Sequence, residues 1–124
     1  MSARPGKYFS WSEFDVDHRR PLPPTRRPAY RHLCRHYLDP LREEFGPVTV
    51  TSSLRSPGYN ARVGGAPRSQ HLTTAPEVIA AADVWCRRGL PAQWFKFLDD
   101  LRVGGLGLYQ DHVHVDTRLQ RARW

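Results

Sequence analysis

The sequence predicts one small domain that mixes α-helices with β-strands, and three observations carry that expectation. At 124 residues the chain is long enough for a single modest core. Its apolar content of 40% and aromatic content of 11% argue against a disordered polymer. Two segments repeat apolar residues at helical spacing, while several short runs have the length and alternation of strands. No run of ~20 apolar residues is present, so no membrane span is expected. The opening MSARPGKYFSWSEF lacks the apolar stretch of a secretory signal. Localisation is therefore unknown, and a role outside the cytoplasm would need another route of delivery.

Residues 1–8 are expected as a loose tail. Ser10 with Glu13 three residues later is a capping-box pattern for a short helix, which Phe9 and Phe14 would staple to the core. Residues 15–28 hold four prolines and four arginines and read as an extended surface loop, with His18 exposed to solvent. Residues 29–45 are the clearest helix. Tyr30, Leu33, Cys34, Tyr37, Leu38, Leu41 and Phe45 form one apolar stripe. Pro40 should kink or divide this helix, and Gly46-Pro47 should end it. His32 and His36 are four residues apart but lie off the stripe beside Arg31 and Arg35, so they read as surface histidines.

VTVTSS at 48–53 reads as a strand. Residues 54–69 form a long Gly- and Pro-containing loop with one helical turn at 59–63, and long loops in small domains are usually functional. Arg55, just past the strand, is placed either to grip a substrate carboxylate or to hold its own loop by an ion pair. IAAADVW at 79–85 is an apolar strand with one carboxylate, Asp83. Burying that charge is costly unless it is paired or bound to a metal. Pro91–Leu101 is a second amphipathic helix, stopped by Gly104-Gly105. Strands at 106–109 and 112–117 follow, and Trp124 is expected to pack back on the domain.

The stretch GGLGLYQDHVHVD carries the densest chemistry. On a strand His112 and His114 share one face, and Val113 and Val115 point to the other, into a core. Asp111 stands three residues before His114. His71, Asp83 and His114 are together a set of two imidazoles and one carboxylate, which suits a catalytic zinc site with one open position. A nearby carboxylate such as Asp111 can exchange protons with water there. Cys34 and Cys86 form no C-x-x-C pair, sit in apolar contexts and are expected as buried free thiols. The net charge of +7 suits an acidic partner, either nucleic acid or an anionic polymer such as a bacterial wall, or is simply a solvated arginine surface. No helix-turn-helix, finger or aromatic RNA-binding motif supports the nucleic-acid reading.

FSWSEF, FGPVTVTSSLRSPGYNARVGG, SQH followed by AAD, and GGLGLYQDHVHVDTR run in an order that resembles the M15 zinc peptidases, specifically the D-alanyl-D-alanine carboxypeptidase-like group of bacteria and phages. The resemblance spans nearly the whole chain. It implies an α+β fold, a small single domain over residues 1–124 with a central, mainly antiparallel sheet flanked by helices. It also implies Zn²⁺ on His71, Asp83 and His114, with Asp111 as general base and acid and His112 beside it in a role that varies. Arg55 and Ser69 would hold the substrate's carboxylate or carbonyl. The implied activity is cleavage of peptide bonds in cell-wall peptidoglycan, with phage or virion components as further partners. Eleven residues separate His71 from Asp83, about twice the family's usual spacing. The alternative reading is a non-catalytic wall-binding or virion structural domain that retains the fold.

Overall fold

A computed structural model describes residues 4–65, 71–72 and 76–124. It shows an α+β domain around a five-stranded sheet. The strands are β1 (Val48–Ser52), β2 (Ala81–Cys86), β3 (Gly105–Leu108), β4 (Val113–Asp116) and β5 (Ala122–Arg123). They lie in the order β1-β2-β4-β3-β5. All neighbours pair antiparallel except β3 and β5, which are parallel. No helix among the described residues is long and apolar enough to cross a membrane.

One face of the sheet is the core. Val48, Ala82, Val84, Val113, Val115 and Leu106 meet Tyr30, Leu33, Leu38, Leu41, Trp94 and Leu98 from the helices. The period of two in the strands sends the intervening residues, Asp83, His114 and Asp116 among them, to the other face. The helices α1 (Arg27–Leu33), α2 (Asp39–Phe45) and α4 (Pro91–Asp100) provide the covering layer, and α3 (Pro57–Arg62) follows β1. α3 begins two residues before the expected turn because Ser56 caps it, accepting from the Tyr59 N–H.

The long helix expected over 29–45 is one continuous rod in three parts. α1 passes into a π-helical turn, Cys34–Leu38, and then into α2. Pro40 explains the turn. It has no N–H to return to the His36 carbonyl, and its ring crowds that carbonyl. The wider π turn, in which the Asp39 N–H bonds to the Cys34 carbonyl, takes up the mismatch without breaking the rod.

Two expectations for the first 28 residues are revised. Lys7 and Tyr8 are not loose, because their N–H groups donate to the two oxygens of Asp39 at 2.8 and 3.3 Å. Residues 15–28 do not simply run over the surface either, because Val16, Leu22 and Arg26 are buried and Pro24–Arg26 forms a 3₁₀ turn. The 3₁₀ turn at Trp11–Phe14 carries the capping box, with the Ser10 N–H donating to Glu13 at 2.7 Å. Cys34 and Cys86 are buried free thiols, and burial pushes both up.

Candidate metal centre

Pairing between β2 and β4 sets Asp83 directly opposite His114. Each is on the face away from the helices, so their side chains meet without any further adjustment. The third residue arrives on a loop. Arg55 and Leu72 form a parallel bridge, and the Arg55 N–H donates to the His71 carbonyl. The His71 ring is then fixed by its own Nδ1–H, which donates to the Ser53 carbonyl. The extra residues between His71 and Asp83 do not keep the two apart.

The donor atoms converge. His71 Nε2 lies 3.0 Å from Asp83 Oδ1 and 3.0 Å from His114 Nδ1, and His114 Nδ1 lies 3.2 Å from Asp83 Oδ1. Zinc–ligand bonds of about 2.0–2.1 Å at tetrahedral angles put neighbouring donors about 3.3 Å apart. The observed edges fit that figure, and all three side chains are buried.

The outer hydrogen bonds decide which nitrogen points inward. A carbonyl or carboxylate oxygen can only accept, so His71 Nδ1 and His114 Nε2 carry the protons when the rings are neutral. The inward atoms are then two bare imidazole nitrogens and a carboxylate oxygen, three lone pairs aimed at one point with no hydrogen between them. A cation resolves that arrangement, whether a proton or a metal ion. Among the described residues this is the one group of three or more His, Cys, Asp or Glu so placed.

The charges tell the same story. Burial favours a neutral Asp83, but the His114 and His71 rings, which donate to its Oδ1 when protonated, outweigh it and hold the carboxyl well below its usual range. Burial lowers His114, yet hydrogen bonds to Asp116 and Asp83 outweigh it and raise the imidazole's proton affinity. Without a metal the cluster therefore retains a proton on His114 to a higher pH than a free imidazole would.

The rim carries the other expected residues. His112 Nε2 lies 4.0 Å from Asp83 Oδ2, and its Nδ1 is 2.6 Å from Asp111 Oδ1. Asp111 itself is 88% exposed at its side chain. Its carboxyl sits below the usual range because of the His112 hydrogen bond. Asp111 thus reaches the centre through His112, and the Tyr109 ring stacks flat on His112 at 4.5 Å and 4°. Arg55 is turned inward, with Nη2 on Asp83 Oδ2 at 3.3 Å, Nε on Ser52 at 3.0 Å and Nη1 on Asn60 at 3.1 Å. Ser69 lies outside the described residues.

Asp116 was not anticipated from the sequence. It is 0% exposed and accepts from His114 Nε2 at 2.6 Å. The signal was available, since HVHVD places residue 116 on the same strand face as His114. His32 and His36 stay on the surface with their rings 4.4 Å apart, outside the three-residue group.

An α+β domain whose sheet and one loop present two imidazoles and a carboxylate to a single point belongs to the class of domains with a candidate metal site. The particular family follows from comparison: a family model of Peptidase M15 matches residues 7–116, and the chain belongs to that family. No curated protein and no solved structure matches it.

Proposed function

We propose that this M15 family member is a zinc-dependent peptidase that cleaves peptide bonds in bacterial peptidoglycan. The observation that carries the metal reading is the convergence of three lone pairs at 3.0–3.2 Å from His71, Asp83 and His114. When bound, Zn²⁺ supplies Lewis acidity and makes water a stronger acid. His71 and His114 would hold the ion by Nε2 and Nδ1, and Asp83 by Oδ1, while the Ser53 carbonyl and Asp116 keep the two rings in the required tautomers. Asp111, ionised and bonded to His112, serves as the proton acceptor at the rim, and His112 lines it up with the cluster. Arg55 neutralises the second oxygen of Asp83, and its remaining N–H groups can grip a substrate carboxylate or carbonyl. The positive charge of the chain supports attraction to an anionic wall.

The test is elemental analysis of the purified protein, followed by digestion of purified peptidoglycan with and without chelator. One zinc per chain and chelator-sensitive release of cleaved peptides are expected, with the activity lost in His114→Ala. Wall binding without chelator-sensitive cleavage would make this chain the non-catalytic relative instead.

A further inference from the structure

Residues beyond the matched span close around the back of His114. Arg118 wraps the buried Asp116 completely: its N–H donates to Oδ1 at 3.0 Å, its Nε to Oδ1 at 2.8 Å, and its Nη2 to Oδ2 at 2.7 Å. The Trp124 ring lies 5.1 Å from His114, and the Arg118 guanidinium lies 5.1 Å from the Trp124 ring centre. β5 carries Trp124 into place, because Leu108 N–H donates to the Trp124 carbonyl at 2.7 Å and Arg123 bonds to Asp99 and to the Val103 and Gly104 carbonyls.

The alternating glycines of β3 make room for this layer. Gly105 pairs with Asp116 and Gly107 with His114. A Cβ on Gly105 would overlap the Asp116 carboxylate, and one on Gly107 would overlap the Trp124 indole. The GLGL pattern is thus space reserved on the site face, while Leu106 between the glycines is buried in the core.

We infer that Asp116 and Arg118 are a positioning pair for the metal centre, with Trp124 as its cover. Asp116 holds the Nε2–H of His114, so the Nδ1 lone pair faces Asp83 and His71. Arg118 keeps that carboxylate in one orientation and balances its charge. Trp124 blocks the ring from swinging away from the cluster, and its Nε1 donates to the Tyr109 hydroxyl at 2.8 Å, which ties the cover to the ring stacked on His112. The pair acts on the metal only through His114. This inference rests on the metal reading above, and the experiment separates the two.

Zn²⁺ affinity is measured by competition with a chromophoric chelator, and Co²⁺ is substituted to record the visible absorption of the site. Asp116→Ala should weaken Zn²⁺ binding by about 10–100-fold, the usual cost of losing an outer partner of a ligating histidine. It should also change the Co²⁺ spectrum. Asp116→Asn, which keeps an acceptor for Nε2–H, should recover part of the loss. Arg118→Gln, which leaves the Asp116–His114 hydrogen bond in place, should cost about tenfold, the low end of the same range. Arg121→Gln, on the outer Asp99 ion pair, is the control and should bind like wild type. Circular dichroism of each variant confirms the fold, and Arg118→Gln decides the matter if Asp116→Ala does not fold. Wild-type protein that binds no stoichiometric Zn²⁺ overturns the metal reading. Wild-type binding with Asp116→Ala and Arg118→Gln within twofold of it, and with unaltered Co²⁺ spectra, overturns the positioning pair alone.

Discussion

The two histidines of the centre are held in opposite ways. His114 belongs to the sheet: its neighbour Asp83 is set by strand register, and its far side is sealed by Asp116, Arg118 and Trp124. His71 belongs to a loop, and the chain near it is tied to the sheet by the Arg55–Leu72 bridge and the bond from its ring to Ser53. One half of the site is therefore preformed by the fold. The other half depends on a few local bonds and gains most from a cation that ties it to the first.

The sharpest way to break this comparison is to remove each histidine in turn. His71→Ala and His114→Ala should both weaken Zn²⁺ by more than the roughly 100-fold ceiling expected for an outer partner. Their effects on the metal-free protein should differ. His114→Ala leaves the buried Asp116 without one of its donors and should cost about 1–3 kcal/mol in denaturant unfolding. His71→Ala leaves the buried Ser53 carbonyl without its donor but sits on a loop that can readjust, so it should cost less than His114→Ala. Equal losses of metal-free stability would show that the loop is as much a part of the folded frame as the sheet.

Removing the metal probes the same contrast from the ligand side. At about 100-fold excess over the dissociation constant a bound ion stabilises by about 2.7 kcal/mol, so chelation should lower the melting temperature of a domain this size by roughly 10 °C. Hydrogen exchange should then rise at the Arg55 amide, which bonds to the His71 carbonyl, while β2 and β4 amides stay protected. Uniform loss of protection would contradict a preformed sheet half.

Tyr30 connects the two halves and gives a smaller effect. Its buried hydroxyl donates to the Ala81 carbonyl at 3.0 Å and accepts from Ser53 Oγ at 3.2 Å and from the Ala81 N–H at 3.3 Å. Burial pushes this phenol up, so it stays neutral and able to do both. Tyr30→Phe leaves those groups unpaired and should cost about 1–3 kcal/mol of stability, measured by urea unfolding. A change below 0.5 kcal/mol in that experiment, on the order of a surface substitution, would show that the two halves are not coupled there.

The most gradual effect is that of pH on the metal-free protein. Asp83 and Asp116 are both held well below the usual carboxylate range. For Asp116, burial is outweighed by hydrogen bonds from His114 and Arg118. A depressed carboxyl stabilises the fold above its unfolded value of about 3.9, and that stability drains away as pH falls below it. His114 is raised, so its contribution runs the other way, present below about 6.5 and lost as pH rises through its folded value. Urea midpoints of the chelated protein should therefore fall below about pH 4, and Asp116→Asn should flatten that fall. An unchanged acid slope in the variant would remove Asp116 from the account.

Much of this was legible in the residues. The strand HVHVD showed by period alone that His114 faces away from Val113 and Val115. The lone Asp83 among apolar neighbours announced a carboxylate that needed a partner, and that partner turned out to be two imidazoles with Arg55 behind them. The Ser10–Glu13 box and the helix over Tyr30–Phe45 were equally plain, being local patterns of hydrogen bonding and burial. The π turn ahead of Pro40 was less so, because a proline demands only that the carbonyl four residues back be relieved and leaves open whether the helix kinks or widens.

Composition and periodicity by themselves determined that this chain folds as a mixed α and β domain and that its last strands carry metal-capable side chains on one face. Those properties depend on residues next to or a few positions from each other. Tertiary structure decided the rest: that His71 reaches the sheet across its loop, that His112 stands between Asp111 and the cluster, and that Arg118 and Trp124 close behind His114. Each of these joins side chains from separate segments, and a distance between segments is set by strand register and packing, which no local spacing encodes.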